Sequence, residues 1–279
     1  MHTPLRFLAD PAPLAPLEVF QDPCVVTAAD ARAPRLDLGR PFEVRRWILL
    51  GGTRGRLFTA ATGDPNPLHT HSHGIVPGAF LIAQCVASLE VLAPQLRLAQ
   101  LKLSLTRVAS YGQSLEFVLQ GAPDPTGVSV RCRVLQAGHE VARGSITGTP
   151  GRAAPPAAGA PVPPALADYC DAMGLAPEPF LERAGPGLPR SFLCTLPSGQ
   201  LVRDLGGEGG LLNRVTLSFS GELAPLAEAP RVELGLPKRA RSTFNRIALE
   251  VRSGDACPVS GSALVLPRPA APSLRALAC

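Results

Sequence analysis

Asp64 and His69 are the two side chains whose types and spacing most directly suggest chemistry. A carboxylate and an imidazole can exchange protons with a bound molecule near neutral pH, provided both are held within hydrogen-bond reach of it. They lie in residues 57–69, LFTAATGDPNPLH. Residues 58–62 can form a short helix, Gly63 can end it in the left-handed conformation, and Pro65 and Pro67 then force an extended, rigid turn. Read more plainly, Asp-Pro-Asn-Pro is only a turn and His69 a surface residue. Just beyond, residues 75–83 (IVPGAFLIA) put Pro77 in the first turn of an apolar helix. The Gly78 N–H then sits at the positive helix end.

Other reactive patterns are weaker. His69, His71 and His73 form H-T-H-S-H, which on extended backbone would aim three imidazoles to one side, as zinc requires. No carboxylate or thiolate fourth ligand is evident, so no metal is expected, and His71 and His73 read as solvent-facing or pocket-rim residues. Cys85 falls inside the apolar helix and reads as an inert buried thiol. There is no G-x-S-x-G elbow, nucleotide loop or dinucleotide fingerprint, and the Gly206, Gly207, Gly209 and Gly210 cluster lacks the context of one.

The positioning elements can be read around these residues. Residues 78–92, GAFLIAQCVASLEVL, are apolar on almost every face, as befits a helix wrapped by other structure. Segments 100–108, 114–120, 127–135 and 140–147 alternate apolar and polar residues between turn signals and predict antiparallel strands. Residues 149–165 are rich in Pro, Ala and Gly and read as a linker. A second strand series follows at 213–220, 230–236, 242–252 and 259–266, while 188–212 supports only a short helix around 200–205. The expected organisation is α+β: a first unit over 1–148 carrying the motif, a linker over 149–165, and a degenerate copy over 166–279.

Composition excludes several classes. The chain has 279 residues, 46% hydrophobic and 18% charged, enough for a large core without disulfides. Seven scattered cysteines without a CxxC pair fit reduced thiols, and the start shows no uninterrupted apolar leader, so a cytoplasmic location is expected. The helix at 78–92 is too short to span a bilayer. The formal charge is +5, but its Lys and Arg are dispersed along the sequence and aromatics are only 5%, so no nucleic-acid partner is expected.

Phe58, Gly63, Asp64, Asn66, Pro67 and His69 together resemble the G-D-x-N-P-x-H signature of the MaoC-like (R)-specific hydratases and dehydratases. The resemblance implies a double hot-dog fold, antiparallel sheets wrapping a central helix, with the second unit supplying the paired sheet and part of an acyl tunnel. It implies Asp64 and His69 as the catalytic dyad, Gly78 as oxyanion donor, and Gly63, Asn66 and Pro67 as support for the motif. The implied reaction interconverts (R)-3-hydroxyacyl and trans-2-enoyl thioesters on CoA or acyl carrier protein, with no cofactor beyond the carrier. Such a chain would be a built-in pseudo-dimer, with further pairing as a homodimer left open. Family members carry a longer stretch before the helix, often ending in His-Gly; here nine positions separate His69 from Gly78, and Pro77 replaces that histidine. Alternatives are a hot-dog thioesterase, or a noncatalytic protein that binds acyl chains or scaffolds a synthase.

Overall fold

The computed structural model describes residues 17–21, 24–28, 35–70, 74–151, 163–175, 177, 187–204, 211–220, 229–241 and 243–266. His71, His73, the centre of the expected linker and the Gly206–Gly210 cluster lie outside them.

In chain order the elements are β1 (Leu17–Gln21), β2 (Cys24–Ala28), β3 (Phe42–Leu49), α1 (Gly52–Thr62), α2 (Gly78–Leu92), β4 (Leu96–Leu105), β5 (Ser114–Asp124), β6 (Gly127–Gln136) and β7 (His139–Pro150). Then come α3 (Pro164–Met173), α4 (Arg190–Leu193), α5 (Leu196–Asp204), β8 (Leu211–Phe219), β9 (Arg231–Leu234), β10 (Lys238–Arg241), β11 (Phe244–Ser253) and β12 (Ala256–Leu266). The strands form one sheet in the order β10-β11-β12-β8-β4-β7-β6-β5-β3-β1-β2, with β9 also paired to β11. All the pairings are antiparallel, and the two strand series meet where β4 pairs with β8.

The sheet wraps α2, whose side chains are buried almost throughout. Its polar members are matched. Gln84 accepts from Arg46 Nη1 at 2.9 Å and donates to the Met173 carbonyl at 2.9 Å, and the Ser88 hydroxyl bonds back to the Gln84 carbonyl. Glu90 accepts from the N–H groups of Arg190 and Ser191 at 2.7 and 3.3 Å and so caps α4. Burial pushes the Glu90 carboxyl above its ordinary range and the Arg46 guanidinium down to about 10. Met173 closes α3, so α2 is tied by polar bonds to both α3 and α4 as well as by apolar packing.

The eight expected strands are present, and four others are added: β1, β2, β3 and β10. β3 was not expected because its inward positions read Phe42, Val44, Arg46 and Ile48, and an arginine breaks the apolar alternation. β10 is short and strongly basic, as edge strands often are. The segment around the linker is more ordered at both ends than its composition suggests. Pro150 closes β7 opposite Leu96, and Pro164 occupies the first turn of α3, where its missing N–H costs nothing. The short helix expected at 200–205 is part of α5, which starts earlier, at Leu196. In the second half α4 and α5 occupy the chain position that the long α2 has in the first, and neither approaches it in length.

Candidate functional site

The motif turn is set by its own backbone. Gly63 takes φ +66 at the end of α1, and its N–H and that of Asp64 return to the carbonyls of Ala60 and Thr59. Asp64 Oδ1 accepts from the Asn66 N–H at 3.1 Å, and Asn66 Oδ1 accepts from the Leu68 N–H at 3.1 Å. Pro67 then starts a single 3-10 turn, Pro67–His69, rather than continuing an extended path. Two successive side-chain caps explain that difference, because each folds the chain back by two residues.

His69 is fixed from two sides. Its Nδ1 lies 2.8 Å from the Ile75 carbonyl, which can only accept, so this nitrogen carries the proton and leaves Nε2 as the free base. Its own carbonyl accepts from the Tyr111 hydroxyl at 3.1 Å. Nε2 stands 4.0 Å from Asp64 Oδ2, too far for a hydrogen bond but close enough for the carboxylate to stabilise an imidazolium. The His69 pKa is nevertheless lowered, because loss of hydration outweighs the favourable pull of Asp64 and of the Ile75 carbonyl.

A cavity of about 210 Å³ opens beside the imidazole. Asn66, His69 and Ser198 form its polar end, and Leu81, Leu105, Leu201, Leu212 and Phe244 contribute to its apolar body. Gly78 lines it as the first residue of α2, with Pro77 just outside the helix as its cap. A side chain at Gly78 would meet Leu105 at 2.4 Å, so glycine lets β4 close over the helix start.

The structure places Asp64 differently from His69. The Asp64 side chain has no exposed surface, and Ser198 Oγ donates to its Oδ2 at 2.8 Å. Of the expected pair only the imidazole lines the cavity; the carboxylate stands behind it and behind the serine. Ser198 lies on α5, which meets the motif at two more points. Arg203 Nη1 donates to the Gly63 carbonyl at 2.7 Å, and a Cβ on Gly199 would come within 2.1 Å of that same oxygen. Ser198, Gly199, Arg203 and Tyr111 were not read from the sequence. The first three had no local signal, and Tyr111 could have drawn notice only as one of the chain's two tyrosines.

No profile of a known protein family matches this chain, and no curated protein matches its sequence. Solved structures do match its shape. It is similar to a MaoC-like dehydratase at 13% identity and TM-score 0.58, covering 86% of this chain and 100% of that one. A MaoC-like dehydratase from Phytophthora capsici aligns at 12% identity and TM-score 0.55, over 82% of this chain and 96% of that one. A protein from Novosphingobium aromaticivorans described as a thioesterase aligns at 17% identity and TM-score 0.53, over 85% and 98%.

Proposed function

We propose that this chain, whose fold is the double hot-dog fold of the MaoC-like dehydratases, adds water to and removes it from acyl thioesters, interconverting trans-2-enoyl and (R)-3-hydroxyacyl forms. The observation that carries this reading is His69 Nε2, left as a free base at the polar end of an apolar cavity with a buried carboxylate 4.0 Å behind it. In the hydration direction, water gives a proton to Nε2 as its oxygen bonds to C3. The displaced electron pair moves to the thioester oxygen, where the Gly78 N–H meets it. The proton taken by His69 then supplies the one that C2 gains, so the dyad ends as it began. Asp64 stabilises the transient imidazolium and holds the Ser198 hydroxyl by its proton, which turns the serine oxygen towards the water's other hydrogen. CoA or an acyl carrier protein brings the substrate, and no cofactor is needed.

Incubation with crotonyl, longer enoyl and (R)-3-hydroxyacyl thioesters, followed by mass analysis for gain or loss of water, tests the reaction and its chain length together. The Novosphingobium neighbour favours one second reading, thioester hydrolysis. Release of free thiol in place of a mass change of one water would establish it and end the first.

Ser198→Ala is expected to lower kcat about tenfold or more while KM moves little, and Ser198→Thr to restore part of the loss, because the hydroxyl orients water rather than substrate. Unchanged kcat in the alanine variant would remove Ser198 from the mechanism. The pH profile has a defined sign. His69 must be neutral to accept a proton, and burial lowers its pKa from the ordinary 6.5. Hydration activity is therefore retained as pH falls to 6.5 and is lost only below it. An acid limb above 6.5 in kcat/KM for hydration would contradict the buried base.

A further inference from the structure

A second feature lies on the opposite, outward face of the sheet. The strand register aligns Arg133 of β6 with Arg143 of β7, then Ser104 of β4, Arg214 of β8, Leu264 of β12 and Arg246 of β11. Lys238 of β10 continues the row. A parallel row two residues away adds Arg131 and Lys102, both bracketing Ser145 of β7. All seven cations are exposed. Glu140 bridges Arg133 and Arg143 at 3.2 and 3.7 Å, whereas among the described residues the other five stand in no salt bridge. The part of the band between β6 and β8 is concave, a trough of about 650 Å³ holding five of these cations with Glu140 as its carboxylate.

We propose that this band is the docking surface for an acidic acyl-carrier domain that delivers its thioester to the cavity beside it. The identity of the guest rests on the acyl-thioester reading of the His69 site. Two observations select the guest. The first is reach: six inter-strand steps of about 4.8 Å extend the band over roughly 29 Å of curved sheet. The charged part of CoA is one nucleotide with its few phosphates, and it can neutralise only a fraction of that length. A macromolecular face with distributed carboxylates matches the whole of it, and such complementarity steers association. The second is continuity with the site. Ser104, Arg214 and Arg246 lie within two residues of Leu105, Asn213 and Phe244, which line the cavity, and the exposed Thr106, Arg107 and Val108 border it where β4 ends. The thioester arm of a guest seated on the band therefore enters the cavity round the end of β4, past Thr106, Arg107 and Val108. Nucleic acid is the competing polyanion, but it would have no reason to lie beside an apolar acyl cavity.

The test uses the full chain, a crotonyl-loaded acyl carrier protein and crotonyl-CoA, with the double variants Arg131→Glu/Arg214→Glu and Arg214→Glu/Arg246→Glu. These residues are exposed, so the variants are expected to fold, and thermal unfolding checks that. Charge reversal is expected to weaken carrier binding and to lower kcat/KM for the carrier substrate about tenfold or more, with the effect fading in high salt, while crotonyl-CoA turnover changes less than about twofold. Unaltered carrier binding overturns the proposal. So does an equal loss on both substrates, which would assign the band to CoA phosphates. Binding of duplex or single-stranded nucleic acid more tightly than the carrier, abolished by the same reversals, overturns it too. Wild-type protein that binds the carrier but converts neither thioester keeps the docking surface and removes the catalytic reading.

Discussion

His69→Ala lowers turnover of the matching enoyl thioester by about 10³-fold, and Asp64→Asn by about 10²-fold or more, with little change in melting temperature for either. The ordering follows from position. His69, unlike Asp64, lines the cavity and in the proposed mechanism moves the proton itself, so its removal forfeits the whole of general base catalysis. Asp64 acts from 4.0 Å behind, on the charge of the imidazolium and on the direction of the Ser198 hydroxyl. The amide keeps the shape but has one acceptor oxygen where the carboxylate has two, for the Asn66 N–H and the Ser198 hydroxyl, and it gives up the negative charge. Steady-state kinetics on both variants, with calorimetry to verify folding, checks the prediction. An Asp64→Asn enzyme slower than His69→Ala would mean that the carboxylate, not the imidazole, exchanges the proton.

The second large effect is expected at a residue with no functional group. Gly199→Ala would place a Cβ 2.1 Å from the Gly63 carbonyl oxygen, a contact that only a shift of α5 away from the motif turn can relieve. That shift pulls Ser198 from Asp64 and Arg203 from Gly63 together. Overpacking of this kind costs about 1–3 kcal/mol of stability, and a displacement near 1 Å at a catalytic group costs roughly 10²-fold in rate. Thermal unfolding and kcat measured on the same preparation give both numbers. Wild-type activity in a fully folded Gly199→Ala protein would show that the apposition of α5 is incidental to catalysis.

How much of this was legible beforehand divides by sequence distance. The motif turn, its left-handed Gly63, the α2 helix and the alternating strands of the first half are local patterns, and local sequence carries them. β3 escaped because Arg46 occupies an inward position, and its reason, a bond to Gln84, belongs to the assembled core. Ser198 escaped because its partner lies 134 residues earlier, and nothing in a short helix around Gln200 marks one hydroxyl over another. The basic band is the same lesson at larger scale. Its cations are strung along six strands, mostly one or two to a strand, so the sequence reads as dispersed charge. Strand register, a property of pairing, is what gathers them onto one face.

The α5 contact has a consequence for how the molecule comes into being. During synthesis on the ribosome the motif turn, α2 and β4–β7 emerge before α5 and β8. Ser198, which bonds Asp64, and the arginine that latches Gly63 come much later, and β8, which joins the halves of the sheet, later still. Contacts so distant along the chain form slowly. The nascent first half therefore holds its imidazole and carboxylate without their latch until α5 has been made.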